Sequence, residues 1–312
     1  MQKKTIIKIL VSIGMLAFVL SYIDLNKLKE TVTGIPLSVI IVVTILYAAG
    51  QLLSTFKWWL IVSNSVEGSL SKAFRAYWIG MYVNAFGLGT LGGDVTRGLL
   101  YAQGQKAKTE ALASVIADRA HGLLVLALIG IISVFFVDQD KIDSSFKILL
   151  VLSVIGIIAG WFLGPAILLK VTPKESKWRN KVERTAAQFP RALDRLALIT
   201  GISVVFHSTQ ILTHVYIANA IGINIEWSRF FAAIPFVNIL GTLPISWQGL
   251  GVRETSLLFF LKEYITSEQA LALGAIWFLA VTASSAIGGV VAAATGDLKS
   301  IDKNAVNTPA GN

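Results

Sequence analysis

The sequence predicts an all-α integral membrane protein with about six full spans and two re-entrant broken hairpins, which a simple topology count would score as eight spans. Three observations predict it. Of the 312 residues, 54% are hydrophobic and only 14% are charged. Soluble domains carry roughly 25% charged residues, so this chain cannot cover a water-facing surface. Apolar runs long enough to cross about 30 Å of hydrocarbon recur along its whole length. Two further apolar stretches, 74–103 and 230–262, are interrupted by glycine, proline and charge. The absence of cysteine excludes disulfides, thiolate metal sites and a cysteine nucleophile.

The elements follow in order. Lys3, Lys4 and Lys8 precede the apolar run ILVSIGMLAFVLSYI, in the manner of a signal peptide. Val19, Leu20, Tyr22 and Ile23 are too bulky for a small-x-small cleavage site, so residues 6–23 read as an uncleaved first span. Residues 37–62, 110–137, 147–169, 196–222 and 271–295 are each long and apolar enough to cross. The segment 170–195 carries eight Lys/Arg and belongs on the cytoplasmic side, whereas DQDKIDS, 138–144, is acidic and suits the outside. Working outward from these anchors places both termini, 63–75 and 97–108 inside. The protein is thereby expected in the cell membrane as a multi-pass chain with cytoplasmic ends.

The same orientation makes 74–103 enter and leave from one face and 230–262 from the other. The order span, span, hairpin, span then occurs twice with opposite orientation. This is the inverted-topology repeat of transporters, whose broken helices meet near the bilayer midplane. Residues 1–296 form one polytopic domain with repeat halves of about 1–137 and 147–296, and 297–312 form a polar cytoplasmic tail. A sequence echo agrees: Asn84-Ala-Phe-Gly87 precedes Arg97-Gly-Leu-Leu100, as Asn238-Ile-Leu-Gly241 precedes Arg253.

Gly87, Gly89 and Gly92 spell G-x-G-x-x-G, a dinucleotide fingerprint. That motif needs a preceding strand and a soluble βαβ unit, but AYWIGMYVNAF is membrane hairpin, so no nucleotide cofactor is expected. Gly87, Gly89, Gly92 and Gly93 instead break the first hairpin, and Pro244, Gly249 and Gly251 break the second. Irregular backbone at membrane depth is tolerated only when buried in protein or facing a water-filled cavity.

Three motifs carry a resemblance. N-x-x-G-x-G-x-x-G-G-D-x-x-R from Asn84 to Arg97, SVIADRAHGLL at 114–124 and LPISWQGLGVRE at 243–254 resemble the ordered signatures of the lysylphosphatidylglycerol synthase transmembrane region, a flippase-like family. The resemblance covers essentially the whole chain and implies a lipid-handling membrane unit. In multi-domain relatives a soluble aminoacyl-transfer domain follows the membrane part, and none is expected here.

The charges within these motifs are the candidate site. A charge at the bilayer centre costs between about 2.5 and about 17 kcal/mol, so Arg119 must be paired or face water. Its neighbour Asp118 points about 100° away on a helix, which leaves Asp94 and Glu254 on the hairpins as its expected partners. Arg97 and Arg253 follow the glycine breaks, where an arginine fork and free helix N–H groups both suit phosphate. Arg97, Arg119 and Arg253 are therefore read as binding a lipid phosphate. Asp94, Asp118 and Glu254 hold or gate them, and Asn84, His121 and Ser246 complete the polar set. The alternative is that these charges only pin the hairpins to the bundle.

No catalytic residue is expected. Ser246 has no nearby histidine in sequence and lacks the nucleophile-elbow context. His207, Gln210 and His214 share one helix face and read as polar glue between helices rather than as a metal site. Within 170–195 an interfacial helix is expected, with Trp178, Val182 and Phe189 dipping into the headgroup region. The sequence thus points to translocation of an anionic or phosphate-bearing lipid, phospholipid or isoprenoid phosphate, between leaflets. Expected partners are anionic membrane lipids and a lipid-modifying or glycosyltransferase enzyme, not nucleic acid. Without an ATP-binding motif, movement is passive or driven by an ion gradient. A carrier of small anions or protons, and a non-transporting partner of such an enzyme, are the alternatives.

Overall fold

The computed structural model describes residues 34–86, 90–137, 144–243, 245–246 and 248–297. The first predicted span, residues 138–143 of the acidic loop, Gly87, Gly89, Pro244 and the tail from 298 lie outside them. Among the described residues every regular element is a helix: α1 (Leu37–Val62), α2 (Leu70–Phe86), α3 (Thr90–Tyr101), α4 (Lys108–Val134), α5 (Ser144–Val171), α6 (Arg179–Ala186), α7 (Leu193–Ala220), α8 (Trp227–Gly241), α9 (Val252–Leu261) and α10 (Ser267–Thr295).

Five of these, α1, α4, α5, α7 and α10, are long and apolar enough to cross a membrane. They coincide with the five apolar runs predicted at 37–62, 110–137, 147–169, 196–222 and 271–295. The 26 residues of α1 reach about 39 Å at 1.5 Å per residue. The two interrupted stretches form helix pairs instead. With 17, 12, 15 and 10 residues, α2, α3, α8 and α9 each fall short of the ~30 Å hydrocarbon thickness.

Local chemistry sets the ends. Thr266 caps α10, exchanging hydrogen bonds with Gln269, and Gly296 closes it at φ 74. In the connection between α8 and α9, Gly249 and Gly251 take φ of 77 and 80, as a glycine break requires. Gly92 and Gly93 do not break the first pair. Both lie inside α3, and Gly93 has a packing role: a Cβ there would stand 1.9 Å from the Gly80 carbonyl oxygen. On another face of α2, a Cβ at Gly288 of α10 would stand 1.9 Å from the Trp78 oxygen. Glycines on both neighbours thus let α2 pack backbone to backbone, the way membrane helices associate without a hydrophobic drive.

The two larger apolar cores among the described residues are these. One joins Val39 and Val43 of α1, Ile211 and Ile217 of α7, Phe230 and Ile234 of α8, Leu257 of α9 and Leu273, Trp277 and Ala280 of α10. The other joins Trp58 and Val62 of α1, Ala76 and Ile79 of α2, Leu100 and Tyr101, Ala111 and Val115 of α4, and Ala292. Both α1 and α10 feed their N-terminal halves to the first core and their C-terminal halves to the second. The stretch between, Gln51 to Lys57 on α1, is where buried polar residues collect. By contrast α5 exposes Ile148, Leu152, Ile155 and Ile167, a face suited to lipid.

The basic segment does contain a helix, α6, with Trp178 exposed beside Lys177 and Lys181. Phe189 departs from its expected place in the headgroup region. It turns inward onto Trp161, ring centroids 5.2 Å apart, and packs on Ile61, Ala117 and Ile199.

Candidate functional site

Asp118 of α4 is the centre of the polar layer. Its Oδ1 lies 2.9 Å from Lys57 Nζ of α1 and its Oδ2 3.1 Å from Arg97 Nη2 of α3. All three residues are at most 5% exposed. Arg97 Nε also lies 3.4 Å from Asp94 Oδ1, one turn back on α3. Asp94 in turn pairs through Oδ2 with Arg119 Nε. The order Lys57–Asp118–Arg97–Asp94–Arg119 alternates in sign and ties α1, α3 and α4 together. Each member neutralises its neighbours, which is what makes five charges tolerable at this depth.

Arg97 is held on its faces as well. Trp58 and Tyr77 place their ring centroids 5.0 and 4.9 Å from its guanidinium carbon, a cation–π clamp. Tyr77 is itself oriented by Ser54 and Gln51. Arg119 is far less enclosed, its side chain 37% exposed.

Two cavities border this network. The first, about 320 Å³, is lined by Lys57, Asp94, Arg97, Asp118 and Arg119, together with His207 and Gln210 of α7 and Asn238 of α8. The second, about 210 Å³, lies toward the α8–α9 connection and includes Arg119, Gln248, Arg253 and Ser285. Tyr47, Met81, Asn84, Arg119 and Thr242 line both, so the two are neighbours across a shared wall. The two helix pairs touch here: Gln248 Nε2 donates to the Ala85 carbonyl at 2.9 Å, with Gln248 in the left-handed region at φ 51.

Arg253 and Glu254 follow the second break, and their side chains are not in ion-pair contact with each other. Glu254 Oε2 accepts the Gly251 N–H at 2.6 Å and caps α9, while its other oxygen faces Gly274. Arg253 makes no ion pair among the described residues, and its buried Nε has no hydrogen-bond partner there. Its guanidinium lies over Gly241 and Gly249, where a Cβ would come within 3.7 and 3.4 Å.

The predicted residues therefore divide. Asn84, Asp94, Arg97, Asp118, Arg119 and Arg253 line the cavities, with Asn84 Oδ1 also accepting the Gly93 N–H at 2.8 Å. Arg119 takes Asp94 as its partner; Glu254, the other expected partner, is committed to its helix cap. His121 lines neither cavity and hydrogen-bonds Thr200 and Ser203 of α7. Ser246 is buried and also lines neither. Lys57 escaped the sequence reading because a lysine five residues from a span's end reads as an ordinary cytoplasmic anchor. His207 and Gln210, read as glue, reach the first cavity, whereas His214 packs against Trp277.

Comparison with known proteins gives one finding of kinship. A family model described as the lysylphosphatidylglycerol synthase TM region matches residues 5–289. No curated protein and no solved structure matches the chain.

Proposed function

From the premise that this chain belongs to the lysylphosphatidylglycerol synthase transmembrane-region family, we propose that it moves an anionic, phosphate-bearing lipid between the leaflets of the cell membrane. The observation that carries this reading is the pair of adjoining cavities with an excess of positive charge. Among the described residues Lys57, Arg97, Arg119 and Arg253 line them, against Asp94 and Asp118. A headgroup would cross through this polar layer while its chains remain outside in the hydrocarbon, against apolar faces such as that of α5. Net cationic walls attract an anion and disfavour a cation in the same space.

The α2–α3 and α8–α9 pairs act in this reading as two re-entrant hairpins of an inverted repeat, entering from opposite faces. Their shortness supports that role, as does the meeting of Gln248 with Ala85. Asn84 and Asn238, at matching places in the two hairpins, both face the first cavity. The basic segment around α6 would lie on the cytoplasmic leaflet, with both termini on that side. The role in this reading is transport rather than catalysis.

The test is lipid movement in proteoliposomes carrying a fluorescent anionic phospholipid, read with a membrane-impermeant quencher. Wild type should expose the inner-leaflet lipid, and Arg119→Gln should slow that exposure by about tenfold or more, the loss of one charge-assisted contact. Sealed lipid in wild-type vesicles, or an ionic current without lipid movement, would set the reading aside in favour of a partner or small-anion role.

A further inference from the structure

Resting on that reading, we infer that the lipid's hydrocarbon chains leave the cavities sideways, through a window between the two helix pairs framed by α4 and the end of α8. The inference comes from one face of α4. At 3.6 residues per turn, Leu112, Ile116, Arg119, Leu123 and Gly130 fall within about 40° of one line along that helix. At one end of the line α4 meets α3, where a Cβ at Gly98 would stand 3.0 Å from Leu112. At the other end it meets α8, where a Cβ at Gly130 would stand 2.9 Å from Pro235 and 3.1 Å from Phe236. Between those two contacts the face is uncovered. Ile116 is 56% exposed and Leu123 38%, and the Arg119 side chain between them is 37% exposed even though it pairs with Asp94.

This uncovered stretch is also where the cavities open. Among the described residues that line them, Leu123 and Thr242 are exposed, Arg119 is partly so, and the others are buried or half-buried. The exposed neighbours around the opening are apolar: Ile116 on α4, and Leu240 and Leu243 at the end of α8. Depth decides what such an opening faces. Arg119 lies close to the middle of the 27 residues of α4, about 17 Å from its start. The 15 residues of α8 reach only about 22 Å, so its end stops short of the ~30 Å hydrocarbon thickness. An opening at mid-depth with an aliphatic rim faces lipid chains, not the water on either side.

Such an opening fits a molecule with two unlike parts. The headgroup sits inside, where its phosphate can accept from the Arg119 guanidinium. The chains pass between Ile116, Leu123 and Leu243 and stay in hydrocarbon. The track they follow is this face of α4, since α5 packs on the opposite side of that helix, where Trp161 meets His121. A small anion without a chain gains nothing from an aliphatic rim.

The experiment uses the full chain, which contains no cysteine, in vesicles of phosphatidylcholine with phosphatidylglycerol as the minor lipid. Ile116→Cys, Leu243→Cys and, as a control on the exposed face of α5, Ile155→Cys each receive a thiol-reactive benzophenone. Lipid adducts formed on illumination are identified by mass spectrometry. At Ile116→Cys and Leu243→Cys the share of phosphatidylglycerol adducts should exceed that at Ile155→Cys by about tenfold, the worth of one charge-assisted contact with the headgroup. Adding Arg119→Gln to Ile116→Cys should bring the share down to the Ile155→Cys value. Equal shares at all three positions, enrichment that Arg119→Gln leaves unchanged, or adducts to a second copy of the chain in place of lipid would each overturn the window. Lipid movement by wild type in the same vesicles then leaves the transport reading standing. Enrichment at the rim where no lipid moves keeps the window as a binding surface and overturns transport. With neither enrichment nor movement, both fall.

Discussion

Lys57 and Asp118 form a buried ion pair, 2.9 Å between Nζ and Oδ1, and the same Lys57 ammonium donates to the Asp118 backbone carbonyl at 3.3 Å. This contact joins the C-terminal half of α1 to the middle of α4 and places the carboxylate that Arg97 also needs. Asp118→Asn removes the charge that two buried cations share. Breaking a buried pair from one side costs about 3–5 kcal/mol, so a clear fall in thermal stability in detergent is expected. Lys57→Met with Asp118→Asn should recover part of that loss, because one unpaired cation is removed as well. A double variant no better than the single one would show that Lys57 and Asp118 are not coupled.

Arg97 and Arg119 should differ in what their loss damages. Arg97 is enclosed by Asp94, Asp118, Trp58 and Tyr77, so Arg97→Gln should lower both stability and transport. Arg119 is more exposed and borders both cavities, so Arg119→Gln should lower transport with a melting temperature close to wild type. Equal destabilisation by the two substitutions would contradict this division.

The packing of α2 on α3 depends on one missing side chain. Gly93→Ala would set a methyl 1.9 Å from the Gly80 oxygen, a clash that only separation of the helices relieves. Gly92→Ala meets nothing nearer than Val83 Cγ1 at 3.8 Å and gains about 0.5–1 kcal/mol of helix preference. Size-exclusion profiles and melting curves should show Gly93→Ala misfolded or strongly destabilised and Gly92→Ala at least as stable as wild type. A well-folded Gly93→Ala would refute the close approach.

Gln248 combines a left-handed backbone with the hydrogen bond to Ala85. Gln248→Ala loses the bond and keeps the strain, whereas Gln248→Gly loses the bond and relieves the strain. The glycine variant should be more stable than the alanine variant by about 1 kcal/mol in denaturant or thermal titration. Indistinguishable variants would mean that φ 51 carries no strain there.

Much of the fold was legible because hydrophobic length alone reports a span. The run predicted at 37–62 coincides with α1 residue for residue. The interruptions at Gly87–Gly93 and Pro244–Gly251 were legible as places where helices end, although α3 begins before Gly92. Pairings were harder, because a sequence shows charge and not which way a helix face turns. Asp94 as the partner of Arg119 was within reach from the motif. Lys57 was hidden at a span's end, and Trp58 and Tyr77, which clamp Arg97, look like ordinary membrane aromatics. Glu254 looked like a counter-ion and became a cap because the Gly251 N–H lies three residues back, in hydrogen-bonding reach. Phe189 looked interfacial, but Trp161, Ile61 and Ile199 offer it a partly buried seat that no local pattern announces.

The central claim is that a lipid headgroup passes through the adjoining cavities, and Thr242 stands on their shared wall, exposed. The chain contains no cysteine, so Thr242→Cys introduces a single reactive thiol. The measurement is lipid movement in proteoliposomes before and after coupling a bulky thiosulfonate reagent to that thiol, and again after reduction. Ile155→Cys on the exposed face of α5 serves as the control. The account predicts that modification at Thr242→Cys stops lipid movement, that reductant restores it, and that Ile155→Cys is unaffected throughout. Undiminished movement with the Thr242→Cys site fully modified would place the lipid path elsewhere and contradict the account.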